Sequence, residues 1–155
     1  MTGQSVHANC LVVGTRGILI QGESGSGKSA LTDTLITAAR ASGNLGVLVA
    51  DDRVVLSAER GQLVARAPGS ILGLMEVRGA GVKATQAISA AKVHIVVSLR
   101  PIGTMERLPD NSVTRQNLET VSLPALTCPA NRPDVSLRLL RWGLRTLFPA
   151  SPDYI

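Results

Sequence analysis

Gly22-Glu23-Ser24-Gly25-Ser26-Gly27-Lys28-Ser29 is the stretch whose reading decides the fold. It fits the pattern G-x-x-x-x-G-K-S, in which glycines let the backbone turn successive N–H groups toward an anion. The pattern carries meaning only between a strand and a helix, and both are legible. Upstream, Val6 to Val13 and Gly17 to Gln21 are apolar runs joined at Gly14-Thr15-Arg16, which predicts a hairpin. Downstream, Ala30, Leu31, Leu35, Ile36, Ala38 and Ala39 recur at helical spacing, and Ser42-Gly43-Asn44 carries helix-stopping chemistry. The helix starts near Lys28 and adds its positive dipole end to the loop. Such a loop, Gly22 to Ser29, cradles a nucleoside triphosphate, with Lys28 bridging the β- and γ-phosphates and the Ser29 hydroxyl completing the coordination of Mg²⁺.

Further along, Gly46 to Ala50 reads as a buried strand that delivers Asp51 and Asp52 at its C-terminal end. Adjacent strand residues face opposite ways, so one carboxylate is expected toward Mg²⁺ and the other toward a substrate hydroxyl. Arg53 to Ala58 and Gln62 to Ala67 form a predicted hairpin turning at Glu59-Arg60-Gly61, and Ala67-Pro68-Gly69-Ser70 opens a short helical or irregular piece. Val93 to Leu99 is a second central strand, and residues 103 to 117 read as loop-rich. A helix from about Asp134 to Leu147 carries the apolar stripe Leu137, Leu140, Leu144 and Leu147, with Arg138, Arg141 and Arg145 beside it as the solvent side. The alternation of strands and helices predicts an α/β fold, and 155 residues without linker, repeat or low-complexity tract predict a single domain over 1–155.

Bulk properties exclude several classes. The apolar runs are strand-sized, so no membrane span is expected, and the start Met-Thr-Gly-Gln-Ser-Val-His lacks a secretory pattern, so a cytoplasmic protein is expected. Cys10 and Cys128 form no CxxC pair and read as thiols. The net charge is +5, but with one Trp, one Tyr and one Phe there is little to stack on bases, so an acidic small ligand or a protein partner fits better than nucleic acid.

His7, the loop Gly22 to Ser29, the run Val49-Ala50-Asp51-Asp52-Arg53-Val54 and Glu76-Val77-Arg78-Gly79-Ala80-Gly81 stand in an order and spacing that resembles the catalytic domain of HPr kinase/phosphorylase. The resemblance covers roughly residues 6 to 82. It implies a P-loop-containing, phosphoenolpyruvate carboxykinase-like mixed sheet with flanking helices. It also implies an ATP-dependent, Mg²⁺-requiring kinase acting on a serine of an HPr-type phosphocarrier of the phosphotransferase system. Carried over by motif, Asp51 resembles the general base, Asp52 with Ser29 the Mg²⁺ set, and Glu76 the acid supporting the metal. Arg78 is placed to steady phosphate charge, His7 to hydrogen-bond an acid or phosphate, and Arg107 resembles an active-site arginine.

Longer members of that family carry an extra N-terminal domain and assemble as homohexamers; the resemblance here is to the short, alphaproteobacterial type, for which a homo-oligomer is an open expectation. The family's late Pro-Gly-Arg-Asn stretch, associated with the reverse, phosphate-consuming reaction, is altered here to Cys128-Pro129-Ala130-Asn131-Arg132-Pro133. Kinase activity is therefore expected ahead of phosphorylase activity. Two other readings stay open from the residues alone: a nucleotide-sensing module without chemistry, and a kinase of a small metabolite.

Overall fold

The computed structural model describes residues 3–109 and 111–155. In chain order the strands and helices are β1 (Gln4–Val6), β2 (Ala8–Val13), β3 (Arg16–Gln21), α1 (Lys28–Ala41), β4 (Gly46–Ala50), β5 (Val54–Glu59), β6 (Gln62–Arg66), β7 (Leu74–Val77), β8 (Gly81–Ala84), β9 (Ala90–Lys92), β10 (Ile95–Arg100), β11 (Val113–Leu118), β12 (Val121–Pro129) and α2 (Pro133–Leu147). Six strands make the main sheet in the order β11-β12-β10-β3-β2-β4. It is mixed: β10 runs parallel to β3 and β12, whereas β2 is antiparallel to both β3 and β4. A second, antiparallel sheet has the order β1-β5-β6-β9, and β7 and β8 form a separate hairpin.

Period-2 alternation explains how these parts stack. Along β2 and β3, Leu11, Val13, Ile18 and Ile20 enter one apolar cluster with Leu31 and Leu35 of α1 and Leu140 of α2. Their neighbours Cys10, Val12 and Leu19 enter another with Leu56, Leu63 and Ala65 of the small sheet. The main sheet is thus covered on both faces, which is why its central strands read as continuous apolar runs. Among the described residues no helix is long and apolar enough to cross a membrane.

The hairpins, both helices and the strands after residues 45 and 94 lie where periodicity predicts them. Residues 103 to 117 are loop-rich as expected up to residue 112 among the described residues, but Val113 onward is strand. After a turn at Ile102–Thr104, β11 and the nine-residue β12 complete the main sheet. Two features hid them. β11 is an edge strand whose Thr114, Arg115 and Asn117 are exposed, so its alternation is nearly all polar. β12 contains Pro124 and Pro129, which argue against a central strand. The register eases the conflict on the β10 side, where pairing runs from Ala125 to Pro129 and the prolines fall before it and at its last rung; on the β11 side Pro124 stands within the ladder, opposite Arg115 of the edge strand.

The arginines of α2 are also not simply its solvent side. Arg141 Nε donates to the Ile155 carbonyl at 2.8 Å, and Arg145 grips Asp153 with two hydrogen bonds of 2.9 and 2.8 Å. They hold the segment 153–155 against the helix, with Ile155 buried in the core.

His94, between β9 and β10, accepts from the Gly17 N–H at Nδ1 (2.9 Å) and stands edge-on to Phe148. Burial first, then the charges of Lys92 and Arg16, pushes this imidazole down to about 4. It stays neutral in the fold to about that pH, whereas an unfolded histidine takes its proton near 6.5. Between those values the unfolded chain binds more protons, so His94 makes stability fall as pH falls. Thermal melts from pH 7 to pH 4 are expected to show a declining Tm, with a shallower decline in His94→Gln.

Candidate functional site

Gln21 ends β3, and the chain then makes a tight turn closed by Ser26 N–H to the Glu23 carbonyl at 3.0 Å. Gly22 is required by close approach: a Cβ there would lie 2.4 Å from Ser26 Oγ and 3.1 Å from Leu99 Cβ. Gly27 is required twice, since it has φ +92° and a Cβ would come 2.9 Å from Asn131 Oδ1. Gly27→Ala is therefore expected to lower stability by about 1–2 kcal/mol or more, through left-handed strain and the clash with Asn131, read as a fall in Tm. α1 begins at once, with no side chain capping its first turn and no acidic residue in it. Its N–H groups therefore remain available to an anion.

Lys28 is buried, and its Nζ donates to the Gly22 carbonyl at 3.0 Å and the Glu23 carbonyl at 3.2 Å, drawing the loop closed over its stem. Ser26 Oγ is buried without a partner. Beside the loop lies a cleft of about 490 Å³, bounded by Ser24, Ser26, Leu99, Arg100, Pro101 and Asn131. An uncapped helix start, an orphaned hydroxyl and glycines packed too closely for any Cβ are together what a phosphate chain needs, so the residues fit a nucleotide.

Asn131, in the 128–133 stretch, lies outside the motifs that mark the site in the sequence. Its N–H donates to the Ser26 carbonyl at 2.9 Å and its Nδ2 to the Gly25 carbonyl at 3.1 Å, so it fastens the loop from outside at a left-handed φ of 56°. The positive φ and the two hydrogen bonds are features of the fold that the sequence does not display.

The two aspartates divide differently from the expectation that Asp52 joins Ser29. Ser29 Oγ donates to Asp51 Oδ1 at 2.6 Å; Asn9 Nδ2 donates to the same oxygen at 2.7 Å, and the Glu76 N–H to Oδ2 at 2.9 Å. Asp51 is buried. Asp52 is exposed, at a left-handed φ of 65°, and its Oδ1 is in close contact with His7 Nε2. The cause is a β-bulge. Cys10 pairs with Ala50 but Leu11 pairs with Leu48, which leaves Val49 as an extra residue in β4. Val49 and Ala50 both enter the small-sheet cluster while Leu48 enters the helix-side one. The next residue, Asp51, returns to the helix side and meets Ser29.

Glu76 reaches this group through its backbone N–H, with its side chain exposed. Arg78 lies in the exposed β7–β8 turn and Arg107 in the exposed loop before residue 110; among the described residues neither makes a hydrogen bond or ion pair to the site. No group of three His, Cys, Asp or Glu side chains converges as a metal cage among the described residues. A hydroxyl and one carboxylate are nonetheless a sufficient protein share for Mg²⁺, which takes its other ligands from phosphates and water.

Fold and site define an α/β protein whose mixed sheet presents a glycine-rich strand–loop–helix turn next to an Asp-Asp pair. The chain belongs to the HPr serine kinase C-terminal domain family, whose family model matches residues 1–134. It is 40% identical over 77 residues to the HPr kinase/phosphorylase of Clostridium beijerinckii, covering 50% of this chain and 24% of that one. With the HPr kinase/phosphorylase of Pediococcus pentosaceus it is 31% identical over 136 residues, covering 81% and 41%. The solved structure of the Hpr(Ser) kinase/phosphatase from Coxiella burnetii is similar with a TM-score of 0.77 at 27% identity, over 93% of this chain and 98% of that one. This chain thus spans about two fifths or less of the length of these curated relatives.

Proposed function

We propose that residues 1–155 form one P-loop catalytic domain, of the phosphoenolpyruvate carboxykinase-like kind, that transfers the γ-phosphoryl group of ATP to a serine of an HPr-type phosphocarrier. The observation that carries the reading is the division of labour at the end of β4: a buried Asp51 tied to Ser29 and a solvent-facing Asp52 paired with His7. The names of the relatives supply the acceptor class.

In this reading the Gly22–Ser29 loop and Lys28 hold the triphosphate, and Asn131 keeps the loop in shape. Ser29 and Asp51 are the residues that would hold Mg²⁺, which when bound offsets charge on the β- and γ-phosphates. Asp52 accepts the proton of the serine hydroxyl as its oxygen bonds to the γ-phosphorus and the bond to the bridging oxygen of ADP breaks. His7, on the same carboxylate, orients it. The family resemblance implies the opposite division, with Asp51 as base and Asp52 as metal ligand; the Ser29–Asp51 hydrogen bond supports the division proposed here. Glu76, Arg78 and Arg107 keep their family roles if the β7–β8 hairpin and the loop after residue 104 close on bound substrates.

The test is incubation with γ-labelled ATP, Mg²⁺ and a purified HPr-type phosphocarrier, followed by phosphoserine analysis of the carrier. Label on the carrier is the expected result. No label, with Tm still raised by ATP, favours a sensing module; label in a low-molecular-weight acceptor favours a metabolite kinase. Adding inorganic phosphate to the labelled carrier assays the reverse reaction.

A further inference from the structure

Asn9 lies on β2, fully buried, and none of the motifs above includes it. Its Oδ1 accepts the Asp52 N–H at 2.8 Å, while its Nδ2 donates to Asp51 Oδ1 at 2.7 Å and to Thr32 Oγ1 at 3.0 Å. The orientation of the amide is not a matter of choice. A backbone N–H can only donate, so Oδ1 must face Asp52, and Nδ2 then faces the carboxylate. Thr32 in turn donates to the Lys28 carbonyl at 2.8 Å, which leaves its oxygen free to accept from Asn9. One planar group thereby touches the side chain of one aspartate, the backbone of the other and the first turns of α1.

We infer that Asn9 is a positioning residue that sets the two aspartates at their working angle, holding Asp51 toward Ser29 and Asp52 in the left-handed turn that aims it at solvent and His7. The bulge in β4 allows that turn, the Arg53 N–H closes it on the Asp51 carbonyl at 2.8 Å, and Asn9 is the side chain that anchors the closed turn to β2. A non-glycine residue at φ 65° is held there by its surroundings, and the Asp52 N–H bond to Asn9, together with the Asp52 carbonyl accepting from Ala8 N–H at 3.2 Å, is what ties it to β2. An apolar side chain of similar size, as in Asn9→Leu, leaves the Asp52 N–H without its partner and takes one donor from Asp51. Asn9 touches no reacting atom and acts through its neighbours. Its catalytic consequence rests on the function proposed above; its geometric consequence does not.

Asn9→Ser and Asn9→Leu are compared with the parent, each alone and combined with Asp52→Asn, for kcat, KM for ATP, Tm and hydrogen exchange of the Asp52 amide. A misplaced acceptor carboxylate should lower kcat by about 30- to 100-fold while KM for ATP moves less than about threefold, since the phosphate loop does not contact Asn9 apart from a long approach to Ser29. With Asp52 already Asn, the same substitutions should cost at least about tenfold less than in the parent. The Asp52 amide should exchange about tenfold faster or more while amides of β10 keep their protection. An equal kcat factor in both backgrounds would mark Asn9 as purely structural, and kcat within threefold of the parent or unchanged Asp52 exchange would overturn the inference outright. If Asn9→Leu does not fold, Asn9→Ser carries the comparison. If the parent labels no acceptor, the proposed function has failed, while the exchange of the Asp52 amide still decides the role of Asn9.

Discussion

Asparagine in place of Asp52 is expected to reduce phosphate transfer by about 10²- to 10⁴-fold, the usual worth of a positioned general base, with ATP binding preserved. Asp52 is exposed and makes no contact with the glycine-rich loop, so its loss leaves the triphosphate cradle unchanged. The corresponding change at Asp51 should behave differently. Asp51 is buried and accepts from Ser29, Asn9 and Glu76, so Asp51→Asn places an amide where three donors converge. It should lower the Tm and weaken the response to Mg²⁺ as well as the rate. Single-turnover transfer with ATP-binding isotherms for both variants separates the two roles. A variant of Asp52 that transfers phosphate at the parental rate would remove it from the chemistry.

Lys28→Ala is the second large effect, and it should strike binding and transfer together. The ammonium is the only side-chain cation hydrogen-bonded to the loop among the described residues, held by the Gly22 and Glu23 carbonyls on a buried stem. Each well-placed charged donor to a transferring phosphoryl group is worth about 10²–10³ in rate. A loss of about 10³ or more is expected here, because the loop also loses the group that draws it closed. ATP should then no longer raise the Tm. Lys28→Met keeps most of the apolar stem; if it restores the Tm but not ATP binding, packing and charge have been separated.

Much of this arrangement is legible along the chain. The hairpin ahead of the loop, α1, β4 and β10 are long or strongly periodic segments whose buried faces leave a clear apolar rhythm, and the loop pattern follows from the backbone geometry that a phosphate demands. β11 and β12 are not legible, because an exposed edge strand has no apolar face and prolines in β12 mimic a break. Nor could Arg141 and Arg145 be seen as clamps on residues 153–155, since what decides between solvent and a partner is a segment that returns in space.

The aspartate pair shows where local reading stops. The loop pattern and the apolar run before Asp51-Asp52 place the Ser29 hydroxyl at a helix start and two carboxylates at a strand end, and the family resemblance adds His7, because each of these positions is set by its own element. Which carboxylate faces Ser29 depends on parity, and parity changes with one residue. The bulge at Val49 arises from pairing with β2, and Asn9 meets Asp51 from 42 positions away. Register and a buried amide are properties of strands brought together, so only the tertiary structure could put Asp51 inside and Asp52 out.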